Sequence, residues 1–172
     1  MGPVSAKSYP ARRPSPKGER PHLAPDYGRR GNVWVFGGFE PHTGIAFTQV
    51  ADKRDTQNFI AFLDALVAQW PEGEIILILD NLSTHGTLDV RLWALAHERV
   101  RFLFQPVYTP WVNLIEPWWK TLRKLALKGR RFKTVADVTD AIRAGTNYWN
   151  AHRHPYKWRK SCLLYTSDAA DE

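Results

Sequence analysis

Apolar and polar positions follow two different periods along this chain, and each change of period marks an element. Residues 33–39, Val-Trp-Val-Phe-Gly-Gly-Phe, form an apolar run of strand length, and residues 45–50 form a second. Between them Glu40-Pro41-His42-Thr43-Gly44 has turn chemistry, which predicts an antiparallel hairpin. From Asp55 the positions Phe59, Phe62, Leu63, Leu66, Val67 and Trp70 recur at helical spacing until Pro71-Glu72-Gly73 ends the helix. Residues 74–79 are almost continuously apolar, which predicts a strand buried on both faces. A helix over 87–97, a strand over 100–104 and a loop with two prolines over 105–110 follow. Then come a helix over 113–128, with Ile115, Trp119, Leu122 and Ala126 along one side, and a last helix over 135–149. Residues 1–32, rich in Pro, Arg, Gly and Ser without a sustained period, read as a loop or arm.

A hairpin followed by alternating strands and helices argues for an α/β fold, a mixed sheet flanked by helices, with its core over residues 33–160. Ligands gather at the carboxyl ends of parallel strands in such sheets, and Asp80 follows one of them.

The 172 residues suit one domain, and a hydrophobic fraction of 44% excludes a wholly disordered chain. The apolar runs fall well short of the roughly 20 residues that cross a bilayer, so no membrane partner is expected. The polar start carries no secretory signal, which makes the cytoplasm, including its nucleoid, the expected location. A net charge of +7 favours a polyanionic partner such as nucleic acid. With one cysteine, Cys162, neither an intramolecular disulfide nor a cysteine-based zinc site can form. Residues 162–172, Cys-Leu-Leu-Tyr-Thr-Ser-Asp-Ala-Ala-Asp-Glu, resemble a translated sequencing-library adapter and are set aside from the fold. Without them the cysteine and three acids (Asp168, Asp171, Glu172) disappear, and the rest is more basic still.

Two acids stand out, Asp80 and Glu116, with thirty-five residues between them. One ends a strand and the other opens a basic helix, where the pair can share a divalent metal for phosphodiester chemistry. Each also has a plain structural reading. Asp80 in Asp80-Asn81-Leu82-Ser83 suits an Asx turn. Glu116 could close a capping box with Asn113, although Pro117 sits one place too deep for the usual proline position. Lys120 and Arg123 lie on the same side as Glu116, placed for phosphate oxygens as readily as for the acid.

At these residues the chain resembles the mariner-like branch of insertion-sequence transposases, within the DDE superfamily endonucleases. The matching segments are Leu79-Asp80-Asn81 with His85, and Tyr108-Thr109-Pro110 with Asn113, Ile115 and Glu116. Phe36-Gly37-Gly38-Phe39 and His42-Thr43-Gly44 resemble the family's hairpin. The resemblance implies a ribonuclease-H-like fold and a Mg²⁺-dependent (or Mn²⁺-dependent) cut-and-paste reaction without a covalent protein–DNA intermediate. It implies two metal ions in the intact enzyme, with terminal inverted repeats and target DNA as partners. Asp80 carries over as the second catalytic acid and metal ligand and Glu116 as the third, with Asn81, His85 and Asn113 near the site. The family's first acid lies on an initial strand upstream of the hairpin, often as Asp-Glu, then an aromatic or Met, then Gly-Pro. This chain begins Met1-Gly2-Pro3, and only Glu19 and Asp26 precede the hairpin as acids. The first strand and its acid are therefore expected to be missing, and the chain as given to be inactive.

Lys120, Arg123, Lys124, Lys128, Arg130 and Arg131 form a dense basic run behind Glu116, read as a phosphate track over a merely solvated face. Of the adjacent Trp118 and Trp119, Trp119 falls on the apolar stripe, and Trp118 is read as core before base-stacking. His152 and His154 lack evident further ligands for zinc. The leading function is a truncated transposase catalytic core. The alternative is a non-catalytic DNA-binding or homodimerising remnant.

Overall fold

In the computed structural model the described residues are 2–11, 26, 28, 30–106 and 114–156. The elements run β1 (Val4–Ser5), β2 (Ser8–Tyr9), β3 (Asn32–Phe39), β4 (Ala46–Ala51), α1 (Thr56–Gln69), β5 (Ile75–Leu79) and a 3-10 turn (Ser83–His85). They continue with α2 (Leu88–Ala96), β6 (Val100–Phe104), α3 (Ile115–Ala126), β7 (Arg130–Arg131) and α4 (Val135–Ala151). Every strand and helix expected from periodicity is present, with ends shifted by a residue or two. The two-residue strands β1, β2 and β7 are additions.

β3 and β4 form the expected antiparallel hairpin, from Trp34 opposite Ala51 to Phe39 opposite Ala46. At the turn, Gly44 has φ +78, a conformation that favours glycine, and a Cβ there would run into the His154 backbone carbonyl. Alternation along β3 serves two cores. Val33 and Val35 join Trp118, Trp119, Leu122 and Ile142 in a core under α3 and α4. Phe36 joins Phe59, Phe62 and Leu63 in a second core under α1, which also takes in Val90 and Trp93 from α2. The two glycines of β3 let helices approach: a Cβ on Gly37 would strike the Trp119 indole, and one on Gly38 would meet Leu66.

β5 and β6 are parallel, Ile75 opposite Val100 through Leu79 opposite Phe104, joined by α2. Here one expectation fails. Ile75, Leu77 and Leu79 pack against the α1 core, but Ile76 and Ile78 on the other face are 56% and 47% exposed. The apolar run predicts burial on both faces because periodicity cannot show whether a second layer covers it. Among the described residues, β5 and β6 share no ladder with the β1–β3–β4 sheet.

Within residues 1–32, read as loop or arm, Val4 pairs with Val33 and Ser5 with Asn32, while Ser8 and Tyr9 pair with Arg131 and Arg130. Ladders this short leave no period to detect. Asp26 fastens this segment: its carboxylate accepts from Ser8 N at 2.8 Å and Gly28 N at 3.0 Å, and pairs with Arg30. The Gly28 and Ser8 amides, with Arg30, hold its pKa below the usual aspartate value.

α4 clamps the hairpin through side chains whose purpose the sequence did not reveal. Asn150 accepts from Ala46 N at 2.9 Å and donates to Ala46 O at 2.8 Å. Trp149 Nε1 donates to Gly44 O at 2.8 Å, and the Thr48 and Thr146 hydroxyls lie 2.8 Å apart. Helix ends are capped by Asp55, which accepts from Asn58 N, and by a capping box between Thr134 and Asp137.

Candidate active site

Asp80 leaves the carboxyl end of β5, and Glu116 stands in the first turn of α3. Both line one cleft of about 410 Å³ between β3, β5, α1 and the start of α3. α3 begins at Ile115, and its N-cap Leu114 makes no side-chain cap, so Pro117 falls within the first turn, where a missing N–H removes no helical bond. The proposed Asn113 cap lies outside the described residues, as do Tyr108, Thr109 and Pro110. Glu116 is exposed and makes no hydrogen bond or ion pair with another described residue.

Asp80 is held more firmly. His85 Nδ1 lies 3.0 Å from Asp80 Oδ1 and 3.3 Å from the Asp80 carbonyl. Leu82 N also donates to Oδ1 at 3.3 Å, as the Asx-turn reading expects. The His85 hydrogen bond, against the opposing effect of burial, holds the Asp80 carboxyl below its ordinary value. The His85 ring is seated on Phe59, centroids 4.4 Å apart, which ties the acid's partner to the α1 core. Asn81 turns the other way: its Nδ2 donates to Gln105 O at 2.8 Å, fastening the end of β5 to the end of β6. It positions Asp80's loop and does not line the cleft.

Carboxylate oxygens are the donors that hard divalent cations prefer, and Asp80 and Glu116 on one cleft are of the type that suits Mg²⁺ or Mn²⁺. Among the described residues no three His, Cys, Asp or Glu side chains cluster as a metal site, at His152 and His154 or elsewhere.

The basic residues divide. Arg123, Lys124 and Lys128 line a second groove together with Lys7, Ser8 and Tyr9. Lys120 is exposed one turn after Glu116, and Arg130 and Arg131 are exposed on β7. Lys7, 5.6 Å over the Tyr9 ring, is the cation that the sequence reading missed, because nothing in its own segment tied it to α3. Trp118 is fully buried and stacks on Phe39 at 6.1 Å, so it is core like Trp119 and cannot stack on a base. Both adjacent tryptophans are buried because α3 packs against both β3 and α4.

The family model for DDE superfamily endonucleases matches residues 2–139. A Shigella sonnei relative, the "Insertion element IS630 uncharacterized 39 kDa protein", is 25% identical over 117 residues, covering 67% of this chain and 34% of the relative. The chain thus spans about a third of that curated relative. Among solved structures, the Mos1 transposase paired-end complex with left transposon end aligns with a TM-score of 0.65 at 17% identity. That alignment covers 88% of this chain and 46% of the other. A simian T-cell lymphotropic virus intasome bound to the PP2A regulatory subunit B56 gamma aligns with a TM-score of 0.55 at 12% identity, covering 69% and 42%. The likeness shows the fold, a ribonuclease-H-like α/β arrangement.

Proposed function

The chain belongs to the DDE superfamily endonucleases, and from that premise we propose that it is the catalytic core of an insertion-sequence DNA transposase. The observation that carries the reading is the placing of Asp80 and Glu116 on one cleft. Asp80, which His85 hydrogen-bonds, and Glu116 are the residues that would hold Mg²⁺ or Mn²⁺, two ions in the intact enzyme. A divalent ion bound there supplies Lewis-acid stabilisation of phosphate charge and lowers the pKa of a water or 3′-hydroxyl. The chain's own part is to hold the carboxylates at the ends of β5 and α3 and to keep DNA alongside. Lys120, Arg123, Lys124, Lys128, Arg130 and Arg131, joined by Lys7, form the track for the phosphates of terminal repeats and target. A homodimer and a cytoplasmic, nucleoid-associated site of action belong to the same proposal. No helix among the described residues is long and apolar enough to cross a membrane.

The chain as given is proposed to bind DNA without cutting it, because a third acid does not join Asp80 and Glu116 among the described residues. The test is incubation of the purified chain with terminal-repeat DNA and Mg²⁺ or Mn²⁺. Binding without nicking is expected. Nicking that vanishes in Asp80→Ala would overturn the inactive reading, and absence of DNA binding would overturn the DNA track.

A further inference from the structure

The second groove, about 470 Å³ in volume, is made by two segments that only the fold brings together. Lys7 and Tyr9 stand on one side, and Arg123, Lys124 and Lys128, from α3 and the turn after it, on the other. Backbone bonds join the two sides. Gly129 N donates to Tyr9 O at 2.6 Å and Phe132 N to Lys7 O at 3.2 Å, while the Tyr9 ring meets Phe132 edge-on at 5.9 Å. The backbone that carries the cations is thus set before a ligand arrives, which lowers the cost of binding one.

The charge of the groove has one sign. Four cations line it, and among the described residues no acid does. Lys124 and Lys128 form no ion pair with another described residue. Asp26, which accepts from Ser8 N, is already paired with Arg30. Burial raises the Tyr9 pKa, so the phenol adds no negative charge at neutral pH. A phosphodiester brings a single negative charge to such a site. A phosphate monoester brings nearly two at neutral pH, on three free oxygens, and is the better match for several converging cations.

The groove also continues the face of α3 that carries Glu116. Arg123 and Leu127 follow Glu116 at seven and eleven residues, which keeps them on one side of the helix. At 1.5 Å per residue, Lys124 lies about 12 Å along the axis from Glu116, roughly three to four nucleotides at a rise of 3.4 Å. Water attack on a phosphodiester that frees a 3′-hydroxyl leaves the phosphate on the other end, as a 5′-monoester.

We propose that this groove is a terminal-phosphate site, which takes the dianionic 5′-phosphate of a cut strand in preference to a diester within an intact one. The source of that phosphate rests on the transposase reading, whereas the anion chemistry of the groove does not.

The experiment titrates the purified chain, by calorimetry, with tetrathymidylate carrying a 5′-phosphate, tetrathymidylate with hydroxyls at both ends, and inorganic phosphate. The phosphorylated strand should bind about tenfold more tightly than the hydroxyl-ended one. Inorganic phosphate should compete with it, at lower affinity. Lys7→Ala and Lys124→Ala, both at exposed side chains and so expected to fold, should each remove most of the preference. Lys53→Ala, at an exposed lysine outside the groove, should keep it. Equal binding of the two strands would overturn the proposal and leave the phosphate track standing, and binding of neither would overturn it too. A preference that survives both groove variants would place the site elsewhere and overturn it. Inorganic phosphate bound as tightly as the phosphorylated strand would make this a free-anion site and overturn the strand-end assignment. Preference for the 5′-phosphate in a chain that does not bind terminal-repeat duplex would uphold the site and overturn the track alone.

Discussion

His85 Nδ1 stands 3.0 Å from Asp80 Oδ1, with its ring against Phe59, so a core aromatic orients the partner of the site's best-held acid. The pair should be visible in titration. His85→Phe keeps a ring on Phe59 but loses the hydrogen bond, and it should return the Asp80 pKa toward the ordinary aspartate value. Because the folded-state pKa lies below the unfolded one, the interaction stabilises fully above the unfolded pKa and is lost as pH falls through the folded one. The variant should therefore be less stable than wild type at neutral pH and match it at the acid end. Carboxyl-carbon NMR of Asp80 is the measurement, and an unmoved pKa would assign the shift to Leu82 N and the surrounding backbone.

The basic groove predicts a salt signature. If Lys7, Lys124 and Lys128 each neutralise one phosphate, replacing any of them by Ala should reduce the slope of log affinity against log salt by about 0.9 on duplex DNA. Lys7→Ala is the most informative, because Lys7 joins the helix cations only through folding. Fluorescence anisotropy across a salt series reads the slope. An unchanged slope for Lys7→Ala would remove that residue from the track.

The long elements were legible because their signals are local. Phe59, Phe62, Leu63 and Leu66 announce α1 by spacing alone, and the apolar run before Asp80 announces β5, whose end lines the cleft. What stayed hidden depends on partners far along the chain. Ser8 and Tyr9 become a strand only because Arg130 and Arg131 pair with them. Asn150 has a use only once α4 lies across β4, and Trp118 is committed to the core only by Phe39. The exposure of Ile76 and Ile78 was hidden for the same reason, since hydrophobicity tells what a side chain prefers and not whether a neighbour is there to cover it.

The N-cap of α1 offers a stability check away from the site. Asp55 accepts from Asn58 N at 2.9 Å, and Asp55→Ala should cost about 1 kcal/mol in urea unfolding at neutral pH. DNA binding should not change. A loss of DNA affinity as large as the loss of stability would mean that α1 contributes to the track.

Gly37 links the hairpin to the site. A Cβ there would meet the Trp119 indole, and Trp119 lies one turn along the same helix from Ile115 and Glu116. Gly37→Ala must push Trp119 outward or bend β3, and overpacking of this kind should cost roughly 1–3 kcal/mol. The displacement should reach Glu116, because α3 is short and its first turn has no side-chain cap to hold it. Mn²⁺ affinity, read by paramagnetic broadening, should therefore fall in Gly37→Ala and in Glu116→Gln, but for different reasons. Pairing Gly37→Ala with Trp119→Phe relieves the clash and should restore much of the affinity, whereas no second substitution at Trp119 should rescue Glu116→Gln. If Gly37→Ala lowers stability and leaves Mn²⁺ affinity untouched, Glu116 is positioned by the loop before α3 and not by the seating of Trp119 on β3.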